Sequence, residues 1–323
     1  MEAGATSGVD QKPSAAQRFW AFPVTRIFAF LLLFLALSVA IGLPAAVLLR
    51  SGHFDFKRDP EVTSLLASML QAVPVSAAFL IMVRWVDRRT YASAGLTRHG
   101  LLLENGLGFL AGAAIFSVAI ALTAAFSGYH VQRVNPYFEF LVPLVFFLFV
   151  ALAEEIAFRG YVFQTLESRW GSGFAVAGSA LLFGLVHLAN PVPGASTAER
   201  LAGPLYITLE AGLPMAGAYL VTRRLWLPIG FHWGWNFFES AVYGTADSGM
   251  PVSPTHTLLF SKMAGPFLLT GGPFGPEAGL PCLLVGTAAG LLLLGLAVRR
   301  GQWIPMRRQA LPLPITNTQE VLP

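Results

Sequence analysis

The sequence predicts an all-α polytopic membrane protein in which about eight transmembrane helices enclose a polar cavity within the membrane. Of the 323 residues, 55% are hydrophobic and only 12% are charged, whereas a soluble domain carries about twice that charged share. Apolar runs of membrane-spanning length recur along the whole chain, so a secretory signal at the N-terminus cannot account for them. Carboxylates and histidines lie inside several runs, and ionisable groups at membrane depth usually face a partner or an internal cavity.

Eight apolar segments each have about the 20 residues that a helix needs to cross roughly 30 Å of hydrocarbon. They cover residues 27–49, 62–84, 101–125, 138–157, 174–190, 204–222, 226–243 and 280–298. With a cytoplasmic N-terminus, this count places 15 of the 21 lysines and arginines on the inside and 6 on the outside. The bias follows the positive-inside rule, so both termini are predicted to be cytoplasmic.

The segments between and around these runs divide the chain into six parts. The predicted boundaries are 1–26 for a cytoplasmic tail, 27–137 for the first helices, 138–243 for a core that holds the polar clusters, 244–279 for an external loop, 280–298 for the last helix and 299–323 for a second cytoplasmic tail. Glycine and proline dominate the loop, and the run Gly271-Gly272-Pro273-Phe274-Gly275-Pro276 excludes a regular helix there.

Composition also limits the partners of the chain. The single cysteine, Cys282, excludes an intrachain disulfide bond and a cysteine metal cluster. The net charge of +4 comes from arginines in loops and tails, where positive charge sets membrane orientation. We therefore expect an integral membrane protein in contact with membrane lipid, with no nucleic-acid partner.

Two adjacent glutamates, Glu154 and Glu155, end the fourth apolar segment, and Arg159 follows them. Glu155 and Arg159 stand at positions i and i+4 with the acid first, the favourable order for an ion pair on a helix. Glu154 is turned by about 100° from Glu155 and faces a different neighbour. One glutamate is then held by the arginine while the other is free to act as a general base. The alternative is an interfacial pair solvated by lipid headgroups.

Two further segments supply the other polar groups. His187 lies in the fifth segment, where Phe183 one turn earlier can pack against its ring. In the seventh segment, His232 and Asn236 project from one helical face and could orient a carbonyl or its oxyanion. Glu239, a turn further on, could orient His232 or pair with a neighbouring helix. Structural contacts between membrane helices use the same residue types, so neither group is decisive alone.

Together, the three clusters indicate hydrolytic chemistry. Two carboxylates, two histidines and an asparagine on three helices are the ingredients of water activation with carbonyl polarisation. Glu154, His187 and His232 could also hold a divalent metal such as zinc, which accepts imidazole and carboxylate ligands. The chain has no H-E-x-x-H sequence, so the usual zinc-protease helix is absent. A transporter with a buried ionisable relay is an alternative, although the sequence shows no paired halves.

The three polar clusters resemble the signature motifs of the CAAX-protease and bacteriocin-processing (CPBP, or Abi) family. The matching residues are Glu154-Glu155-x-x-x-Arg159, Phe183-x-x-x-His187 and His232-x-x-x-Asn236. Each motif is weak alone, but the three stand in order on separate predicted helices, within roughly residues 140–240. The family consists of intramembrane endopeptidases related to the type 2 CAAX prenyl endopeptidase. The resemblance implies a protease of the bacterial plasma membrane. Its substrate would be a membrane-associated protein or peptide, either of CAAX type or of another type.

The resemblance also assigns roles to the site residues. Glu154 would activate the attacking water with help from His187, and Asn236 would lie at the oxyanion. The members that shape and complete the site would be Glu155, Arg159 and His232. Family members have been described both as metalloproteases and as glutamate-dependent proteases, so a zinc ion at Glu154, His187 and His232 is left open. The two imidazoles favour the metalloprotease. The alternative function is a non-proteolytic binding or immunity protein that sequesters a peptide in the same cavity.

The predicted boundaries place these residues at different depths. His187 lies about 13 residues, or about 20 Å, beyond position 174, whereas Glu154 and His232 lie near the cytoplasmic surface. A shared site therefore requires the fifth helix to start deeper, to tilt or to be broken. Gly184 and Pro191 lie nearby, and breaks that line a cavity are permitted at membrane depth.

Overall fold

Helices form nearly all of the regular structure. The computed structural model describes residues 19–48, 60–252 and 256–306, which are mostly helical. Most of both predicted tails, residues 1–18 and 307–323, lies outside these described ranges. One two-stranded sheet departs from the predicted all-α class.

Three long helices form the N-terminal part of the protein. They are α1 (Pro23–Leu48), α2 (Pro60–Ile81) with its π-helical continuation (Met82–Val86), and α3 (Leu101–Ala125). On α1, only 6% of the most apolar stretch is buried, and side chains such as Leu35 and Leu43 remain exposed. An apolar helix with so little protein cover suits a lipid environment.

The predicted fourth and fifth helices follow each other without a loop, in a helical run that turns at Gly171. Its parts are α4 (Leu141–Glu155), a π-helical segment (Ile156–Phe163), α5 (Gln164–Val186) and a 3₁₀ turn (His187–Ala189). The run covers 49 residues, which would extend about 74 Å if the helix were straight. Gly171 interrupts it with a φ of 77° and a ψ of 173°. Glycine adopts that conformation at low cost because it has no Cβ to clash with the backbone.

The chain reverses direction at Gly171. Ser179 Oγ donates a hydrogen bond to the carbonyl of Phe158 at 3.3 Å, so the helical parts on either side of the break lie side by side. Glu155 precedes Gly171 by 16 residues and His187 follows it by 16. The reversal therefore brings His187 level with the end of α4. This break removes the difference in depth that the predicted boundaries imply.

The remaining helices surround this hairpin. They are α6 (Thr197–Glu210), α7 (Gly212–Thr222), α8 (Trp226–Asn236) with its π-helical continuation (Phe237–Val242), the single-turn α9 (Phe267–Thr270) and α10 (Leu280–Arg299). Among the described residues, five helical stretches are long and apolar enough to span a membrane, and the whole hairpin counts as one of them. The predicted segments 204–222 and 226–243 correspond to shorter helices that do not meet this length.

Helices α3 and α8 pack at very short range through glycines. A Cβ on Gly112 would lie 2.0 Å from a backbone oxygen of α8, and a Cβ on Gly234 would lie 2.0 Å from a backbone oxygen of α3. Gly108 and Gly230, four residues earlier on each helix, make similar close approaches. This spacing of small residues lets two helix backbones touch. His232, halfway between the two glycines of α8, then projects from the opposite side of the helix.

The segment predicted as an external loop, residues 244–279, folds against the helices. It contributes one strand to the two-stranded antiparallel sheet, which consists of β1 (Tyr129–Val134) and β2 (Leu259–Met263), with Tyr129 opposite Met263. Further along, Phe274 is fully buried and Glu277 is 4% exposed. Some side chains of this glycine- and proline-rich segment therefore reach the protein interior.

Candidate active site

A cavity of about 610 Å³ lies between α4, the end of α5 and α8. Its lining includes residues from all three helices, among them Glu154, His187, His232 and Asn236. The structure thus brings four of the six predicted site residues to one cavity. The other two, Glu155 and Arg159, are fully buried next to it.

The ion pair of Glu155 and Arg159 supports the cavity wall. Arg159 Nη1 lies 2.9 Å from Glu155 Oε1, and neither side chain is exposed. Arg159 also donates to the carbonyl of Gly212 on α7 at 3.1 Å, and its Cζ lies 4.5 Å from the centroid of the Phe183 ring. The predicted pair is confirmed. Its contacts tie α4, α5 and α7 together through charge-assisted and cation–π interactions.

His232 is oriented by Glu155. Its Nδ1 lies 3.0 Å from Glu155 Oε1, and the residue is only 3% exposed. Because a carboxylate accepts, Nδ1 carries the proton and donates. Nε2 then points towards Glu154, whose Oε2 is 3.8 Å away. Glu239, which the sequence offered as a possible orienting group, is not the partner of the His232 ring.

Glu154 presents to the cavity a carboxylate oxygen, Oε2, that accepts no hydrogen bond from the described residues. The Glu154 side chain is 20% exposed. The rotation of about 100° between successive helical residues explains why its neighbour Glu155 points into the protein while Glu154 reaches the cavity. A carboxylate with free acceptor capacity beside a cavity can accept a proton from water.

The ring of Phe183 packs against the rings of both His187 and His232. Its ring centroid lies 5.0 Å from that of His187 and 5.9 Å from that of His232, with nearly edge-on geometry in the second case. The predicted packing of Phe183 on His187 is confirmed. His187 Nδ1 lies 2.7 Å from the Phe183 carbonyl oxygen, so Nδ1 donates and Nε2 is the ring nitrogen left for the cavity.

Asn236 lies one helical turn beyond His232 and borders the same cavity. It is 6% exposed, so its amide lies largely out of bulk water. A buried amide can donate to a carbonyl oxygen as that oxygen gains negative charge.

Acidic residues that sequence reasoning missed complete the cavity wall. Asp247 and Glu277 both line it, although the sequence placed them in an external loop. Burial, and then the nearby Glu277 carboxylate, raise the pKa of the Asp247 carboxyl well above its usual range. Glu277 accepts hydrogen bonds from Trp235 Nε1 and from the Ser248 N–H and hydroxyl. No local sequence signal marks these two acids, because a charged residue between glycines and prolines is ordinarily solvated.

Two groups of side chains bear on metal binding. Among the described residues, the ligand atoms of Glu239, Asp247 and Glu277 all lie within 4.8 Å of one another. The ligand atoms of the predicted set, Glu154, His187 and His232, do not form a group with this close spacing within the described ranges. Its donors, a carboxylate and two imidazole nitrogens directed to one cavity, are of the types that zinc accepts. A metal at that set stays a prediction.

Comparison with known families agrees with the motif pattern. Residues 135–238 match a family model described as type II CAAX prenyl endopeptidase, Rce1-like. The matched segment contains all six predicted site residues, and it confirms the resemblance to the CAAX-protease family. Comparison with curated proteins and with solved structures gives no further match.

Proposed function

The chain carries an Rce1-like segment of the CAAX-protease family, and we propose from it that the protein is an intramembrane endopeptidase. Its substrate would be a membrane-associated protein or peptide, of CAAX type or another. One observation carries the proposal: a carboxylate, two imidazoles and an amide from three helical segments border a single cavity. These are the groups that peptide hydrolysis by an activated water requires.

Glu154 is the proposed general base. Its carboxylate removes a proton from water, and the water oxygen forms a bond to the carbonyl carbon of the substrate. The carbonyl oxygen takes up the electron pair as an oxyanion. As the carbon–nitrogen bond breaks, Glu154 returns the proton to the leaving amine. His187 helps to position the water through its Nε2, since its Nδ1 donates to the Phe183 carbonyl.

The remaining residues act on charge and position. Asn236 donates from its amide to the oxyanion. His232 keeps its orientation because Glu155 holds Nδ1 at 3.0 Å, and Arg159 holds Glu155 in turn. If a divalent metal is bound, Glu154, His187 and His232 would hold it and it would polarise the water. Loss of cleavage on chelation that Zn²⁺ restores would support the metal, and cleavage unaffected by chelation would reject it.

The shorter helices support the predicted eight crossings and a cavity within the membrane. The reversal at Gly171 allows two crossings by the hairpin that extends from Leu141 to Ala189. Helices α6 and α7 are separated by a single residue, Ala211, and together are long enough for one more. The helix α8 with its π-helical continuation supplies another. Both termini are then cytoplasmic, as the distribution of lysine and arginine predicts.

The Glu154→Gln variant tests the proposal. Wild-type protein in proteoliposomes is expected to cleave a prenylated CAAX peptide, or peptides recovered from native membranes. The variant should lose at least about 10²-fold in turnover, because an amide cannot accept the water proton. Its thermal unfolding should match the wild type. Undiminished cleavage by the variant would refute the mechanism. Peptide retention without cleavage by either protein would favour the non-proteolytic binding function.

A further inference from the structure

A second group of three acidic side chains lies beside the cavity, apart from the proposed base, and two of the three, Asp247 and Glu277, line it. Glu239 belongs to the π-helical continuation of α8, Asp247 follows that segment, and Glu277 lies in the 3₁₀ turn before α10. One carboxylate oxygen from each lies within 4.8 Å of the other two. Three separate parts of the chain therefore converge on one point.

Glu239 is buried and has no hydrogen-bond donor among the described residues. The residue is fully buried, and no group in the described part of the chain donates to either of its carboxylate oxygens. Glu277, in contrast, receives Trp235 Nε1 at 3.1 Å on one oxygen and the Ser248 hydroxyl at 2.6 Å on the other. Its orientation is thus fixed by neutral donors that leave its charge in place.

None of the three acids takes part in an ion pair among the described residues. A fourth acid, Glu210 on α6, is also fully buried, and its two oxygens have no donor among the described residues. Buried carboxylates of one sign need neutralisation by a proton or a cation.

We propose that Glu239, Asp247 and Glu277 bind a hard divalent cation of the Ca²⁺ or Mg²⁺ type. The donors are carboxylate oxygens only, the set that hard cations prefer over the nitrogen and sulfur ligands favoured by softer metals. Glu239 contributes an oxygen to the group while no described residue donates a hydrogen bond to it, as expected of an ion ligand. The proposed site is distinct from the metal predicted at Glu154, which would use two imidazoles.

A cation at this point has a structural consequence for the cavity. Asp247 and Glu277 belong to the segment 244–279 and also line the cavity. An ion that joins them to Glu239 would fasten this segment to the end of α8, one turn beyond Asn236. The site would therefore stabilise the fold and hold one wall of the cavity, whatever reaction the cavity performs.

The test uses the full-length protein in detergent micelles after treatment with EDTA. Thermal unfolding is followed with Ca²⁺, Mg²⁺, Mn²⁺ or Zn²⁺ added, and bound metal is counted by mass spectrometry. We expect one ion per chain and a rise in Tm of several degrees with Ca²⁺ or Mg²⁺, since a ligand that binds only the folded state stabilises it. The Glu239→Gln variant should lose both effects. The matched control Glu154→Gln removes one charge at the same cavity and should keep both.

Three results would overturn the proposal. The first is wild-type protein that binds no ion and shows no rise in Tm, which would mean that protons neutralise the acids. The second is a Glu239→Gln variant with the full wild-type response. The third is a response to Zn²⁺ alone that Glu154→Gln abolishes, which would place the ion at the histidines. If Glu239→Gln fails to fold, Asp247→Asn, at a partly exposed position, carries the same expectation. None of these measurements depends on protease activity, so the proposed function stands or falls separately.

Discussion

Removal of the Glu155 charge should destabilise the protein far more than removal of the adjacent Glu154 charge. Arg159 is fully buried, and Glu155 is its ion-pair partner at 2.9 Å. In an effective dielectric of about 20, that separation corresponds to an attraction of about 6 kcal/mol. Breaking one member of a buried pair costs about 3–5 kcal/mol, because the remaining charge stays in the interior without a counter-charge.

The Glu155→Gln variant keeps the shape of the side chain and removes only its charge. For a chain of this size, a loss of about 4 kcal/mol lowers Tm by about 6 °C. Thermal unfolding in detergent, followed by circular dichroism, measures this change. Glu154→Gln is the matched control: its side chain is 20% exposed, and its ion-pair contact among the described residues is the one with His232 Nε2 at 3.8 Å. We expect its Tm to stay within about 1 °C of the wild type, because the substitution keeps the shape of the side chain and breaks no hydrogen bond to Oε2 among the described residues.

A double-mutant cycle separates the ion pair from other effects of the substitution. Arg159→Met alone leaves Glu155 charged and buried, so it should also destabilise strongly. Glu155→Gln combined with Arg159→Met removes both charges, and its cost should fall short of the summed single costs by about 2 kcal/mol or more. Additive costs, or a Glu155→Gln variant that unfolds at the wild-type temperature, would refute the reasoning that this pair supports the cavity wall.

Three further predictions follow from the helix packing and the cavity. Gly171→Ala should lower the free energy of unfolding by about 1–3 kcal/mol, because φ is 77° there and a Cβ would meet backbone atoms of Pro305 and its neighbours. A Tm equal to that of the wild type would contradict the sharp reversal at this residue. Gly112→Ala should reduce both Tm and cleavage, because the added Cβ forces α3 away from α8. Gly106→Ala, where a Cβ meets nothing within 4 Å, should change neither. If the two variants lowered Tm equally, the close packing of α3 on α8 would be contradicted. His187→Gln should reduce turnover by about 10²-fold at unchanged Tm, and normal turnover would remove His187 from the mechanism.

The parts of the site that the sequence predicted correctly are those encoded within single helices. A spacing of four residues places Glu155 beside Arg159 and Phe183 beside His187, and each pair forms as expected. The apolar composition likewise indicates helices of membrane-spanning length, and five such helical stretches occur among the described residues. These features depend on local periodicity, which is unaffected by how the helices later assemble.

The features that the sequence could not predict depend on tertiary contacts. Gly171 is one of several glycines near position 172, and its sequence neighbours do not reveal that its φ is positive. The strands of the sheet are separated by more than a hundred residues, and neither alternates strongly enough to indicate a strand. Asp247 and Glu277 reach the cavity only because the segment between them folds against α8 and α10. Their charge, read locally, indicates a solvated loop.

The opposite environments of Glu154 and Glu155 show how one helix can supply a reactive and a structural carboxylate from adjacent positions. Helical rotation sends one to the cavity and the other to Arg159. The structural member then acts on the site indirectly, since the same oxygen that accepts from Arg159 also holds His232 Nδ1. Position and reactivity are therefore coupled through a single buried atom. This coupling explains why Glu155→Gln should reduce cleavage even under conditions where the variant remains folded, whereas Glu154→Gln should affect cleavage alone.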